Sequence, residues 1–278
     1  MQNDVWLITG GSKGIGLELA KKLLRSGRRV AVTTRAVEAA RDALGADVCV
    51  VPVDLADEAS VGRGVDSVIQ RFGRIDVVVN NAGYGQMGAV EEVSDAEARR
   101  NFDVNVFGVL NVLRRTLPTL RQQRAGHVFN IGSVGGFTGG FAGWGIYCAT
   151  KFALSGLTEG LHRDLAPLGV KVTLVYPGYF RTEFLSSDSV HRPRTRIADY
   201  TSALESETLH LGSIHQNQPG DPARLAEALI ATREMAEPPL HLFLGSDAFG
   251  MARDKLAAVE RELSAHHELT FSTDFPKA

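Results

Sequence analysis

The sequence predicts an α/β fold in which parallel strands alternate with helices in one doubly wound domain. Short apolar runs such as Val5–Thr9 have the length and continuous hydrophobicity of strands that are buried on both faces of a sheet. Segments with helical periodicity separate these runs, and glycines or small polar residues follow several of them. Ligands of such sheets bind beyond the carboxyl ends of the strands, so we expect the functional residues there.

Composition and charge agree with one globular domain and give no sign of a nucleic-acid or membrane partner. The 278 residues carry 30 basic and 32 acidic side chains, a net charge of −2. Cys49 and Cys148 have neither a disulfide framework nor metal-ligand spacing, so we expect both to be reduced. The chain enters a strand within a few residues, without a signal-peptide pattern, and no apolar run has the length of a membrane span. We therefore expect a cytoplasmic protein.

A glycine-rich turn follows the first strand. Gly10, Gly14 and Gly16 precede a helical pattern that ends at Gly27. Glycines let the backbone approach a pyrophosphate, and the following helix N-terminus offers free N–H groups. The spacing is GxxxGxG rather than the GxGxxG of the common dinucleotide fingerprint, and a tight turn without a ligand is the alternative interpretation.

The second strand ends at a basic residue, which predicts NADP(H) in preference to NAD(H). An NAD site usually carries an acidic residue here to bind the ribose 2′-hydroxyl, whereas a 2′-phosphate requires a cation. This chain has Thr34 and Arg35, and Lys13 in the glycine turn is a second cation. A guanidinium can bind a phosphate through two hydrogen bonds. The alternative is that Arg35 only begins a solvated helix over residues 36–44.

The rest of the chain continues the alternation. We predict further strands over 48–53, 75–79, 127–131, 170–175 and 240–244. We predict further helices over 58–72, 95–123, 147–165, 222–235 and 246–265. Residues 179–222 lose this regularity, and their place at the ligand end of the sheet predicts a substrate-binding insertion or lid. Its basic run, 191–196, we interpret as solvated surface, and the tail from residue 266 has no recognisable pattern.

A serine, a tyrosine and a lysine near the centre of the chain predict acid/base chemistry. Tyr147 and Lys151 are four residues apart, so on a helix both side chains point to the same side. An ammonium about 4 Å from a phenol would lower the tyrosine pKa toward neutrality. Tyr147 would then be the general acid/base, and Ser133 would hold a substrate oxygen. The same spacing also occurs by chance in helices, and Asn105, a lone amide among apolar neighbours, is either structural or part of this site.

Aromatic residues on both sides of this stretch predict an apolar substrate pocket. They are Phe137, Phe141, Trp144, Tyr179, Phe180 and Phe184. We expect a carbonyl or alcohol substrate with a bulky aliphatic, aromatic or steroid-like group, although each aromatic ring taken alone is equally well explained by packing. The helix over 147–165 is apolar on more than one face, which predicts contact with a second subunit.

Seven motifs in order make the chain resemble the short-chain dehydrogenase/reductase family. They are Thr9-Gly10-x-x-x-Gly14-x-Gly16, Asp54, Asn80-Asn81-Ala82-Gly83, Asn105, Ser133, Tyr147-x-x-x-Lys151, and Pro177-Gly178 with Thr182. The resemblance covers nearly the whole chain. It implies a single Rossmann-type domain over 1–278, a seven-stranded parallel sheet with helices on both faces, and assembly into homodimers or homotetramers through two long helices.

The resemblance also implies residue roles. Tyr147 would exchange a proton with the substrate oxygen while hydride passes between the nicotinamide and the carbonyl carbon. Lys151 would hold the nicotinamide ribose, Asn105 would support a water linked to Lys151, Asp54 would bond the adenine, and Asn80 and Ala82 would lie along the cofactor. The predicted cofactor-binding residues are Gly10, Ser12, Lys13, Gly14, Ile15, Gly16, Arg35, Asp54, Leu55, Asn81, Ala82, Gly83, Tyr147, Lys151, Pro177, Gly178 and Thr182.

The leading hypothesis is an NADP(H)-dependent oxidoreductase that interconverts a secondary alcohol and a ketone or aldehyde. One alternative is a redox sensor that binds NADP(H) without catalysis, which would not need Ser133, Tyr147, Lys151 and Asn105 together. The other is a dehydratase or epimerase on the same fold, although such enzymes usually have a longer C-terminal substrate domain.

Overall fold

The computed structural model describes residues 3–275, which fold around one large parallel sheet. The strands are β1 (Val5–Thr9), β2 (Arg29–Thr34), β3 (Cys49–Pro52), β4 (Val77–Asn80), β5 (Gly85–Gln86), β6 (Gly126–Ile131), β7 (Val170–Pro177), β8 (Val190–His191) and β9 (His241–Leu244). Within the described range, seven of them form the sheet in the order β3-β2-β1-β4-β6-β7-β9, and β5 pairs with β8 alone. Every neighbouring pair is parallel, so the carboxyl ends of the seven strands share one edge.

Helices cover both faces of the sheet, which confirms the predicted fold class. They are α1 (Gly14–Arg25), α2 (Val37–Leu44), α3 (Glu58–Phe72), α4 (Asp95–Phe102), α5 (Gly108–Gln123), α6 (Gly145–Leu165), α7 (Thr201–Thr208), α8 (Pro222–Glu234), α9 (Ser246–Ala265) and α10 (His267–Phe271). Side chains alternate along β1: Trp6 and Ile8 pack with α1, α2 and α8, whereas Val5 and Leu7 pack with α3, α5 and α6.

The predicted helical stretch over 95–123 is confirmed in its bounds, and the structure adds a change of helix type within it. A π-helical segment, Asp103–Phe107, separates α4 from α5. Two buried amides lie at this π-helical turn. Asn101 and Asn105 each donate from Nδ2 to the Tyr84 carbonyl at 3.0 Å. Such single-turn π segments are frequent at functional sites.

Residues 179–222 are more regular than predicted. They contain β8, α7 and a second π-helical segment, Leu209–Ile214. The sequence of α7, TSALESET, buries only Ala203 and Glu207, so its apolar periodicity is too weak to identify a helix from sequence. In the tail, α10 was also missed, and residues 276–278 lie outside the described range.

The segment 179–222 packs at the edge of the sheet where the carboxyl ends of the strands lie. Gly85 and Gln86 of β5 pair with Val190 and His191 of β8. A third apolar cluster fills the space beneath this pair, and its buried members are Met87, Trp144, Tyr147, Cys148, Leu185 and Val190. The two cysteines are free and buried, as expected. No helix between residues 3 and 275 combines the length and the apolar character that crossing a membrane requires.

Candidate active site

A cleft of about 970 Å³ opens at the carboxyl edge of the sheet and collects most of the predicted site residues. Those that line it are Gly10, Ser12, Lys13, Gly14, Ile15, Arg35, Asp54, Leu55, Asn81, Ala82, Gly83, Ser133, Tyr147, Lys151, Pro177, Gly178 and Thr182. Gly16, Asn80 and Asn105 do not line the cleft and instead lie behind its wall. One cavity therefore joins the glycine turn to the Ser133–Tyr147–Lys151 group.

The glycine turn combines a left-handed backbone position with an uncapped helix N-terminus. Gly10 has a φ of +69°, and a Cβ there would lie 3.0 Å from the Ala82 Cα, so only glycine fits without strain. Helix α1 begins at Gly14 with no side-chain cap on its N–H groups and no acidic residue in its first turn. These free donors and the positive end of the helix dipole suit a dinucleotide phosphate.

Three predicted cofactor residues have structural roles. Asn81 donates from Nδ2 to the carbonyl oxygens of Thr9 and Gly10, at 2.9 and 3.1 Å, and so holds the turn in place. Asn80 is predicted to lie along the cofactor, and its side-chain amide is buried in the sheet, where it donates to Asn130 Oδ1. Gly16 faces Gly10: a Cβ at Gly16 would lie 2.6 Å from the Gly10 carbonyl oxygen, which explains the glycine by packing.

The two predicted phosphate-binding cations differ in their surroundings. Arg35 is exposed at the rim of the cleft, and no carboxylate between residues 3 and 275 forms an ion pair with it. Lys13 donates from Nζ to Ser189 Oγ at 2.6 Å. Thus Arg35 is free to bind an anion, whereas Lys13 connects the glycine turn to the segment 179–222.

Tyr147 and Lys151 lie one turn apart on α6, as predicted, and both are buried. Lys151 Nζ lies 5.8 Å from the centre of the Tyr147 ring and donates to the Ile131 carbonyl at 2.9 Å. Ile131 ends β6, two residues before Ser133, so this hydrogen bond fixes the lysine beside the serine. The Ser133 hydroxyl accepts from the Gly135 N–H at 3.0 Å, which anchors it at the start of the loop.

Burial changes the pKa of both groups. It raises the pKa of the Tyr147 phenol well above its usual value, and the neighbouring Ser133 hydroxyl only partly offsets this rise. Burial lowers the pKa of the Lys151 ammonium to about 8. The prediction that the Tyr147 pKa is lowered was wrong in direction, because it counted the attraction of the ammonium and omitted desolvation. Tyr147 is therefore a protonated acid at neutral pH.

Asn105 connects the π-helical segment to α6, the helix that carries Tyr147 and Lys151. Its Oδ1 accepts from the Tyr84 N–H at 3.1 Å, and its Nδ2 also donates to Thr150 Oγ1 at 3.1 Å. Thr150 in turn donates to the Tyr147 carbonyl at 2.7 Å. A Cβ on Gly83 would lie 3.0 Å from Asn105 Oδ1 and 3.7 Å from Lys151 Nζ, so Gly83 lies next to both side chains.

Aromatic rings form the wall beside Tyr147. Its ring centre lies 5.5 Å from that of Trp144 and 5.7 Å from that of Phe184. Of the aromatic residues predicted for the pocket, those that line the cleft are Phe141, Trp144, Tyr179, Phe180 and Phe184. Phe137 does not contribute to this wall and packs edge-on against Tyr176 and Phe243.

His210 pairs with the predicted pocket residue Tyr179 at this wall, and His210 itself was missed from the sequence. His210 Nδ1 donates to the Ser206 carbonyl at 2.7 Å, which leaves Nε2 to accept from the Tyr179 hydroxyl at 2.8 Å. Burial lowers the pKa of His210, which keeps this neutral arrangement. Other cleft residues that were missed include Tyr84, Arg100, Asp103, His191 and Gln218. Only Tyr84, directly after Asn80-Asn81-Ala82-Gly83, had a motif beside it that indicated its position.

The sequence comparison decides the family. The profile described as short chain dehydrogenase matches residues 4–192. The chain belongs to the short-chain dehydrogenase family. This short-chain dehydrogenase is 34% identical over 270 residues to the oxidoreductase BOA17 of Botryotinia fuckeliana, with 94% of this chain and 97% of the relative covered. It is therefore an oxidoreductase with a nucleotide-binding fold.

Solved structures agree with this assignment. A short-chain dehydrogenase from Streptomyces avermitilis is 37% identical, with a TM-score of 0.90 and 98% of both chains covered. The 3-ketoacyl-(acyl-carrier-protein) reductase of Brucella melitensis, solved in complex with NADH, is 26% identical with a TM-score of 0.74. That match covers 88% of this chain and 98% of the reductase.

Proposed function

We propose that this short-chain dehydrogenase is an NADP(H)-dependent oxidoreductase that interconverts a secondary alcohol and a ketone or aldehyde. The observation that carries the proposal is the position of Ser133, Tyr147 and Lys151 in the same cleft as the glycine turn. A substrate oxygen beside Tyr147 would meet a hydroxyl acid and a second hydroxyl donor, with a buried ammonium behind them.

The protein's own groups would handle the proton. A bound nicotinamide cofactor supplies or accepts the hydride. In the reduction direction Tyr147 donates its phenol proton to the substrate oxygen, and Ser133 donates a hydrogen bond to the same oxygen. Lys151, with a pKa of about 8, is mostly protonated at neutral pH and stabilises the phenolate that remains. Asn105 positions α6 through Thr150 and the Tyr147 carbonyl.

The proposed preference for NADP(H) rests on Arg35. The Brucella melitensis reductase was solved with NADH, so family membership does not choose between the two cofactors. Arg35 lines the rim of the cleft, is exposed, and follows directly after β2. It presents a planar guanidinium that matches a phosphate in geometry and charge.

The substrate that fits the proposed site has an apolar body. Trp144 and Phe184 flank Tyr147, and Phe141 and Leu185 extend the apolar lining. The hydroxyl of Tyr179 is already committed as a donor to His210, so toward a ligand it presents lone pairs. Residues 179–222, which supply several of these groups, are our proposed substrate-binding segment.

We further propose a cytoplasmic homodimer or homotetramer that assembles through α5 and α6. Phe152 on α6 is 43% exposed, and Phe107, immediately before α5, is 51% exposed. Large exposed aromatic side chains on α6 and directly before α5 favour contact with a second subunit.

The test is NADPH oxidation, and separately NADH oxidation, by the purified protein with ketones and aldehydes graded by size and polarity. Turnover of bulky apolar carbonyls with NADPH is the expected result. Tight NADPH binding without turnover of any carbonyl, or of the corresponding alcohols with NADP⁺, would contradict the proposal and favour a sensor.

A further inference from the structure

The C-terminal helix α9 leaves the domain along its length. Ala248 and Ala252, near its start, are buried against the body of the protein. Val259 is half-buried, and every residue from 260 to 275 is exposed. A helix of 20 residues spans about 30 Å, so its second half extends into solvent. Tertiary packing, the usual source of helix stability, is therefore missing from this half within the described chain.

An apolar stripe runs along the exposed side of α9. It consists of Phe249, Leu256 and Leu263, which are 63%, 56% and 58% exposed. These residues are spaced by seven, which places them in one line two helical turns apart. The spacing is that of a helix that packs lengthwise against another helix.

Charged residues beside the stripe are self-complementary when the helix is reversed. Arg253 and Glu260 follow Phe249 and Leu256 by one turn and lie on the same flank of the stripe. If two copies cross antiparallel with Leu256 facing Leu256, then Phe249 faces Leu263 of the second copy. The same arrangement places Arg253 beside Glu260 of the second copy, and the two-fold axis produces this ion pair twice.

The charge pattern disfavours two other partners for this stripe, a parallel second copy and an anionic membrane. In a parallel pair the two-fold axis runs along the helices and places the Arg253–Glu260 flanks of the two copies on opposite sides of the seam, so this ion pair would not form. An anionic membrane surface attracts basic helices, but acidic side chains outnumber basic ones over residues 246–275. The acidic ones are Asp247, Asp254, Glu260, Glu262, Glu268 and Asp274, and the basic ones are Arg253, Lys255 and Arg261.

We propose that α9 is a self-association surface on which a second copy of this chain packs its own α9 antiparallel, centred on Leu256. This interface is separate from α5 and α6 and independent of the catalytic proposal. It is joined to the substrate wall, because Asp247 in the first turn of α9 accepts from the Tyr179 N–H at 2.6 Å.

Disulfide trapping with an added oxidant tests the geometry directly. Both native cysteines are buried, so only an introduced thiol on α9 is accessible. We expect Leu256→Cys to form a disulfide with itself across the two-fold axis. We expect Phe249→Cys and Leu263→Cys to form a mixed disulfide when the two variants are combined, and neither to cross-link alone. Self-cross-linking of Phe249→Cys would overturn the antiparallel arrangement.

Mass in solution supplies the second readout. Leu256→Asp should halve the mass measured by light scattering, whereas Ala257→Asp, an exposed position on another side of α9, should leave it unchanged. Arg253→Glu should weaken the assembly, and combination with Glu260→Arg should restore it. Unchanged mass in Leu256→Asp together with no Leu256→Cys cross-link overturns the proposal. A second result would also overturn it: Leu256→Asp keeps its mass but no longer cosediments with phosphatidylserine vesicles as the wild type does. That result would assign the stripe to a membrane.

Discussion

Lys13 and Ser189 are joined by a hydrogen bond of 2.6 Å between Nζ and Oγ, which connects the glycine turn after β1 to the segment 179–222. Thr182 supports the same junction, because its Cβ lies 3.6 Å from the position that a Cβ on Gly14 would occupy. The glycine turn and the segment 179–222 are thus in direct contact. The sequence alone suggested that Lys13 binds the cofactor phosphate.

The roles of Lys13 and Arg35 can be separated by binding measurements. Arg35→Ala should weaken NADPH by about 10–100-fold, the equivalent of losing a hydrogen bond to a charged group, and leave NADH within about twofold. Lys13→Ala should raise the KM of the carbonyl substrate without selecting between the cofactors. Fluorescence titration measures the affinity of each variant for NADPH and for NADH. A selective loss of NADPH in Lys13→Ala as large as that in Arg35→Ala would show that Lys13 binds the 2′-phosphate.

Gly83 lies next to Asn105 and Lys151, so an added methyl group there should disturb the site. In Gly83→Ala the new Cβ would lie 3.0 Å from Asn105 Oδ1, and we expect a loss of about 1–3 kcal/mol of stability together with reduced turnover. The matched control is Gly160→Ala in α6, where no heavy atom in the described chain lies within 4 Å of the new Cβ. That variant should be stabilised by about 0.5–1 kcal/mol. Equal urea midpoints for the two variants would contradict this.

The burial of Lys151 should make the free protein less stable at neutral pH. Its folded pKa of about 8 lies below the usual 10.5, so the unfolded chain binds more protons between these values and stability rises with pH there. The cost below pH 8 is roughly 3 kcal/mol. Lys151→Met removes this cost and one hydrogen bond worth about 1 kcal/mol.

Urea unfolding of Lys151→Met checks the sign of this effect. The variant should be inactive and more stable than the wild type at pH 7, and its advantage should disappear as the pH approaches 10.5. A variant that is less stable at pH 7, with a difference that does not change with pH, would show that the Lys151 charge is not penalised by burial.

His127 should control stability on the acid side. It is buried in β6, and its Nε2 donates to Thr173 Oγ1 at 2.9 Å, because the Thr173 hydroxyl donates to the Pro239 carbonyl. Burial lowers the pKa of His127 from 6.5 to about 3, so only the unfolded chain takes up this proton in that window. Stability should therefore fall by roughly 4 kcal/mol as the pH drops from 6.5 to 3.

The control for His127 is an exposed histidine. His127→Gln should flatten the decline in denaturant midpoint below pH 6.5, whereas His266→Gln, at an exposed position, should reproduce the wild-type curve. Identical acid limbs for wild type and His127→Gln would contradict the assignment.

Local signals predicted the sheet and the placement of the motif residues well. The strand Val5–Thr9 is a continuous apolar run and the helix Glu58–Phe72 has helical periodicity, and the structure has these same bounds. Tyr147 and Lys151 could be placed together because helix geometry fixes residues four apart. The order of the motifs along the chain then located the cleft.

Features that depend on distant contacts could not be predicted. The π-helical segment at Asp103–Phe107 accompanies hydrogen bonds to Tyr84, more than 15 residues away along the chain. The hydrogen bond from Lys13 to Ser189 spans 176 residues. His210 became a cleft residue through Tyr179 and a second π-helical segment, neither of which has a local pattern. The direction of the Tyr147 pKa shift required knowledge of burial, which the spacing of residues does not contain.

The most direct measurement compares wild type with Tyr147→Phe in single-turnover reduction of a carbonyl substrate by NADPH. Phenylalanine keeps the ring that packs against Trp144 and removes only the proton donor. We expect the NADPH Kd to change by less than about threefold while the rate falls by roughly 10²–10⁴-fold, as for loss of a general acid. A Tyr147→Phe variant with a near-wild-type rate would show that this phenol is not the proton donor.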